Sequence, residues 1–173
     1  STLFLKLVGT SRLLGDFEVF TSANWRGSGL GLQLQNAYMS TKYLKFGYST
    51  GNFMDLSAIP ATIDYGGPCG MTFYRTTQVL LRYGFDFGLS MGIAVEAPHV
   101  QVAENPSVSA AAQKVPDIPV YIQYNLFNDV RNHIRLGAIM RDISYTDKLT
   151  SADHDNVGWG AQASMLATMG PVQ

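Results

Sequence analysis

Two sets of charged residues sit where an alternating segment or a glycine-rich insert would hold them: Lys6, Arg75, Arg82, Arg135 and Arg141, against Asp16, Glu18, Asp55, Asp64 and Glu96. Cations and carboxylates fixed on facing walls do electrostatic work: their transverse field orients a dipolar or anionic solute and lowers the cost of its entry. No bond-making chemistry is written beside them. Ser11, Ser22 and Ser49 lack a nucleophile-elbow context, since no Gly-x-Ser-x-Gly occurs, and no paired carboxylates announce hydrolysis. His99, His133 and His154 show no ligand spacing, so no metal or cofactor is expected and the three are read as solvated. Cys69 is the single cysteine, which leaves no intramolecular disulfide and no paired zinc spacing. The glycines of "GSGLG" at 27–31 precede a strand, which argues against a phosphate loop.

Alternation supplies the elements that would position these charges. Leu3, Leu5 and Leu7 oppose Phe4, Lys6 and Val8; after "RLLG", Phe17, Val19, Thr21, Ala23 and Trp25 oppose Asp16, Glu18, Ser22 and Asn24. Leu30, Leu32 and Leu34 oppose Gln33 and Gln35, and Leu44, Phe46 and Tyr48 oppose Lys45, Gly47 and Ser49. Further on, Val79, Leu81, Tyr83 and Phe85 stand against Gln78 and Arg82, and Phe87, Leu89, Met91, Ile93 and Val95 against Gly88, Ser90, Gly92, Ala94 and Glu96. "VYIQYNLF", a run in which Ile134, Leu136, Ala138 and Met140 oppose Arg135, Gly137 and Arg141, and a last run from Val157 to Met165 bring the strand candidates to nine. Only 14% of the 173 residues are charged, against roughly 25% in soluble domains. The net charge of −1 offers no basic field for nucleic acid.

Tight turns ("RLLG", "STK", "GFD", "FNDVR") alternate with longer connections ("RGSG", 51–75, 99–119 with an "SAAAQK" suited to a turn of helix, and 146–155). Short turns at one end and long loops at the other, with Trp25, Tyr38, Tyr48, Tyr83, Tyr145 and Trp159 as interfacial girdles, predict an all-β chain: a transmembrane antiparallel β-barrel in an outer membrane. The apolar face would meet lipid and the polar face a water-filled lumen. Residues 1–173 read as a single barrel segment. Nine strands cannot close an ordinary barrel of this kind, and the ending "GPVQ" looks like a turn into another strand, so an incomplete portion of a barrel of roughly 16 strands is expected. The insert 51–75, bent at Gly66, Gly67 and Gly70 and stiffened at Pro60 and Pro68, is predicted to fold inward as a constriction loop, with Asp55 and Asp64 placed to accept hydrogen bonds or to face arginines across the lumen.

With the strands placed, the sequence resembles the DcaP-like family of trimeric outer-membrane porins. The resemblance is carried by "TSRLLGDFEVFTSANWRG", "LGLQLQNAYMS", "YLKFGYSTGNFMDLSAIPATIDYGGPCGMTFYRTTQVLLRY" and "AVEAP". Within these, Leu14-Gly15-Asp16-Phe17 matches the family's hairpin, Ala37-Tyr38 its third strand, and Pro60, Thr62, Ile63, Asp64 and Tyr65 its Pro-x-Thr segment. Gly67, Pro68 and Gly70 match the turn, and Arg75, Gln78 and Val79 the strand after it. The sequence departs from the pattern at Tyr48, at the extra Gly51-Asn52, and at Gln33 and Gln35 where arginines are usual. The resemblance implies a homotrimer in the outer membrane, embedded in lipid, that passes small hydrophilic and often anionic solutes without catalysis. Two other readings stay open on the residues alone: a soluble β-barrel or sandwich that binds a small ligand, and a plugged barrel whose loops bind partners.

Overall fold

The computed structural model describes residues 2–25, 31–59, 73–99, 107–126 and 132–167. Among them are ten strands: β1 (Thr2–Ser11), β2 (Gly15–Asn24), β3 (Gln33–Thr41), β4 (Leu44–Thr50), β5 (Arg75–Gly84), β6 (Leu89–Glu96), β7 (Val108–Ala110), β8 (Ile118–Asn125), β9 (His133–Asp147) and β10 (Ala152–Leu166). All belong to one antiparallel sheet in the order β1-β2-β3-β4-β5-β6-β8-β9-β10, with β7 paired to β9 off this path. With β7 set aside, the strands pair in the order in which they follow along the chain, the meander of a barrel wall. The edges, β1 and β10, are not paired with each other. No described helix is long and apolar enough to cross a membrane.

Because successive side chains point to opposite faces, the register fixes two surfaces of opposite character. On one, Leu44, Leu81, Ile93, Val120, Ala138 and Ala161 form an unbroken row across six strands. On the other, Gly47, Gln78 and Glu96 form one row, Lys45, Leu80 and Ala94 the next, and Arg82, Gly92, Tyr121, Gly137 and Gln162 the one after. The burial is inverted relative to a water-soluble protein. Leu5 is 72% exposed, Leu136 57% and Trp159 84%, whereas Gln78 is 2% exposed, Glu96 1% and His133 0%. A soluble monomer rarely exposes an apolar patch beyond a few hundred Å², so a face built this way is a lipid face and the polar face lies inside.

The structure departs from the periodicity at four places. Gln35 is left out of the β2–β3 register, a bulge that lets Leu34 pair with Ala23 on the outer face although Ala37 and Met39, of the other parity, also point there. Residues 109–110 of "SAAAQK" are strand, not helix: β9 runs seven residues past its pairing with β8, and Val108–Ala110 pairs with the far part of that edge. The connection 146–155 is a tight turn rather than a long loop, since β9 continues to Asp147 and β10 begins at Ala152. Asp147 closes that turn by accepting from the Leu149 amide at 2.8 Å and the Thr150 hydroxyl at 3.0 Å. Tyr38 shares the inner face with Phe20, so it belongs to the polar wall and not to a girdle.

Candidate functional site

The inner face is crossed by the chain that leaves β4. Gly51 stays paired with the residue before β5, its amide donating to the Tyr74 carbonyl at 3.1 Å. From there the segment is fastened to β6: Glu96 accepts the Asn52 amide at 2.7 Å, the Asn52 side-chain amide at 2.7 Å and the Tyr74 hydroxyl at 2.7 Å. Gln78, one strand over, accepts from the same side-chain amide and donates to Ser49 Oγ and the Thr50 carbonyl, each at 2.7 Å. A buried carboxylate is tolerated when its lone pairs are filled this way. Burial, then the neighbouring Glu96 charge and the hydrogen bond to it, push the Tyr74 hydroxyl pKa up, which keeps it a donor.

Three residues on, the segment reaches the opposite part of the wall. Asp55 Oδ2 lies 2.8 Å from His133 Nε2 on β9 and accepts from Ser164 Oγ on β10 at 2.6 Å, while Oδ1 accepts from Ser57 Oγ at 2.7 Å and the Ser57 amide at 3.2 Å. Burial raises this carboxyl, but the hydrogen bonds from Ser164, Ser57 and His133 outweigh it and hold its pKa at about 2. Arg135 donates to the Asn52 carbonyl and lies over the Tyr121 ring, 4.0 Å from its centroid. Phe53 of the segment lies over glycines of β9 and β10: a Cβ on Gly137 would be 3.5 Å from the Phe53 carbonyl and one on Gly160 3.5 Å from the Phe53 ring, both ordinary contacts.

The sequence-derived residues distribute as follows. Asp55, Glu96 and Arg135 come together through the crossing segment. Lys6 and Glu18 form an ion pair of 2.8 Å, with the Tyr38 hydroxyl donating to Glu18 at 3.3 Å. Asp16 accepts from Thr10 at 2.7 Å near the short-turn end. Arg82 donates to Ser40 Oγ and the Thr41 carbonyl, both at 2.8 Å, and Arg141 to the buried Asp117 at 3.0 Å. Arg75 is a correction: alternation sets it on the face of Val79 and Leu81, away from Gln78 and Arg82, and its guanidinium lies over the Phe73 ring. Asp64, most of the insert between 60 and 72, and Cys69 lie outside the described residues.

His133 is a second correction. It is not solvated but fully buried against Asp55. Neither its partner 78 positions earlier nor Ser164 could be read from spacing. Lys45 is missing from the charged residues singled out by the sequence, although the alternation of β4, which sets it opposite Leu44 and Phe46, is the signal that places it on the inner wall. Between the crossing segment and that wall lies a cavity of about 440 Å³ lined by Phe20, Tyr38, Lys45, Asn52, Arg82 and Arg135, among others. Among the described residues no group of His, Cys, Asp and Glu could hold a metal ion.

An antiparallel sheet with a lipid-type outer face, a polar inner face and a segment folded across it defines the class: a transmembrane β-barrel of the outer-membrane type. The sequence matches no protein-family model and no curated protein. In fold it is similar to the crystal structure of the outer membrane channel DcaP of Acinetobacter baumannii, with a TM-score of 0.74 at 19% identity over 94% of this chain. The match covers 46% of that channel, so the chain spans less than half its length. The DcaP-like barrel fold expected from the sequence is the fold observed.

Proposed function

We propose that the protein is the wall, or part of the wall, of an outer-membrane porin that lets small hydrophilic solutes, anions preferentially, diffuse through a passage narrowed by the insert 51–75. The observation that carries this reading is the crossing of the polar face by residues 51–59, tied to β6 at Asn52 and to β9 and β10 at Asp55. A loop held across a lumen sets the size cut-off, and the charges around it set the sign. No bond is made or broken in such a role, and selection is by size and charge. Outer-membrane lipid against the apolar face and a homotrimeric assembly belong to the same proposal.

The test is a planar-bilayer recording of the intact protein, extracted from outer membranes with detergent, under a KCl gradient. Stepwise conductance with a reversal potential on the anion side is expected. Cation preference would overturn the anionic assignment, and a folded, inserted protein without conductance would overturn the porin reading in favour of a plugged barrel. A boiling-sensitive band at three times the subunit mass is expected on native gels, and a monomer alone would contradict the trimer.

A further inference from the structure

The cations of the inner face differ in what neutralises them. Lys6 is paired with Glu18 and Arg141 with Asp117. Arg135 and Arg82 donate only to neutral oxygens: the Asn52 carbonyl for the first, Ser40 Oγ and the Thr41 and Lys42 carbonyls for the second. Lys45 has less still. Its ammonium stands 4.5 Å from the Tyr38 ring centroid, and it enters no hydrogen bond or ion pair among the described residues.

Register places Lys45 beside Leu80, so Arg82, two residues along the same face, is its diagonal neighbour. Like charges at that spacing repel, and a counter-anion seated between them relieves the repulsion. Both line the cavity under the crossing segment, and Arg135 lines it too. The nearby acids are already engaged: Asp55 by Ser57, Ser164 and His133, Glu96 by Asn52 and Tyr74, and Glu18 by Lys6 and Tyr38. Hydrogen bonds from neutral donors leave Asp55 and Glu96 charged, but the cavity is lined by three cations, Lys45, Arg82 and Arg135, against the one carboxylate of Asp55, so its net charge is positive. The Tyr38 ring holds the ammonium by a cation–π contact without cancelling its charge.

We infer that Lys45, with Arg82 beside it, is the oxyanion-docking residue of the passage: the carboxylate or phosphate group of a solute pauses on this ammonium, and this one charge dominates the selectivity. The inference rests on the porin reading above and names the residue that sets its sign. It assigns little selectivity to Lys6 and Arg141, whose charges are spent on neighbouring carboxylates.

The test compares wild type, Lys45→Met and Lys6→Gln in planar bilayers under a KCl gradient, with acetate or inorganic phosphate then added as competitor. Lys45→Met is expected to conduct with an anion-to-cation permeability ratio lowered about three- to fivefold, and Lys6→Gln to change it less than about twofold. Either competitor should reduce the chloride current of wild type and not of Lys45→Met, and the one that competes better identifies the carboxylate or the phosphate source. Lys45→Arg keeps the charge and should keep the ratio even if Lys45→Met fails to insert; loss of the ratio in Lys45→Arg would overturn the inference. So would a conducting Lys45→Met with the wild-type ratio. Absence of conductance in wild type itself would instead overturn the porin reading, and the inference with it.

Discussion

Asp55 concentrates the tension between burial and charge in one side chain: nearly inaccessible, yet ionised because four donors from three residues converge on it. A carboxyl held at about 2, against its ordinary 3.8, contributes roughly 2 kcal/mol to the folded state. Since its folded pKa is depressed, that contribution is complete above about pH 4 and is lost as the pH falls toward 2. Asp55→Asn should therefore lower the thermal midpoint in detergent at neutral pH, and the gap from wild type should close between pH 4 and pH 2. A gap of constant size down to pH 2 would mean that the charge of Asp55 is not what ties the segment to β9 and β10. At this scale the sequence was half legible. The insert and its acid stood out by composition, but His133 and Ser164 are brought to Asp55 only by the curvature of a sheet several strands wide.

The strands were legible because a barrel wall has one lipid face and one wet face, and that contrast writes period-two alternation directly into the sequence. Each of the nine alternating segments overlaps a strand, though the third does so only from Gln33 onward. What escaped was set by pairing partners rather than by pattern: the Gln35 bulge, and β7, whose three residues are strand only because β9 offers them an open edge. Gly47 is another position fixed by its partner. It holds φ +126°, and a Cβ there would sit 2.3 Å from the Ala37 carbonyl oxygen. Gly47→Ala should cost about 1–3 kcal/mol by forcing β4 away from β3, while Gly84→Ala on β5, which meets nothing within 4 Å, should be near neutral. Equal thermal midpoints for the two variants would show that the β3–β4 approach is looser than described.

For the molecule as a whole, the inverted distribution of polar and apolar side chains is the fact from which membrane residence and a wet interior both follow. Residues 51–59 lie across the polar face, tied to β6 at Asn52 and to β9 and β10 at Asp55. Leu56 lies on the crossing segment, 46% exposed and lining the 440 Å³ cavity, whereas Leu136 lies on the outer face, beside Ile122. The most direct measurement is single-channel current from the intact protein carrying Leu56→Cys in a Cys69→Ser background while a charged, membrane-impermeant thiol reagent is added. An irreversible drop in conductance is expected at Leu56→Cys, with no change at Leu136→Cys in the same background. Full labelling of Leu56→Cys, confirmed by mass, with undiminished current would contradict the claim that residues 51–59 stand in the path of the solute.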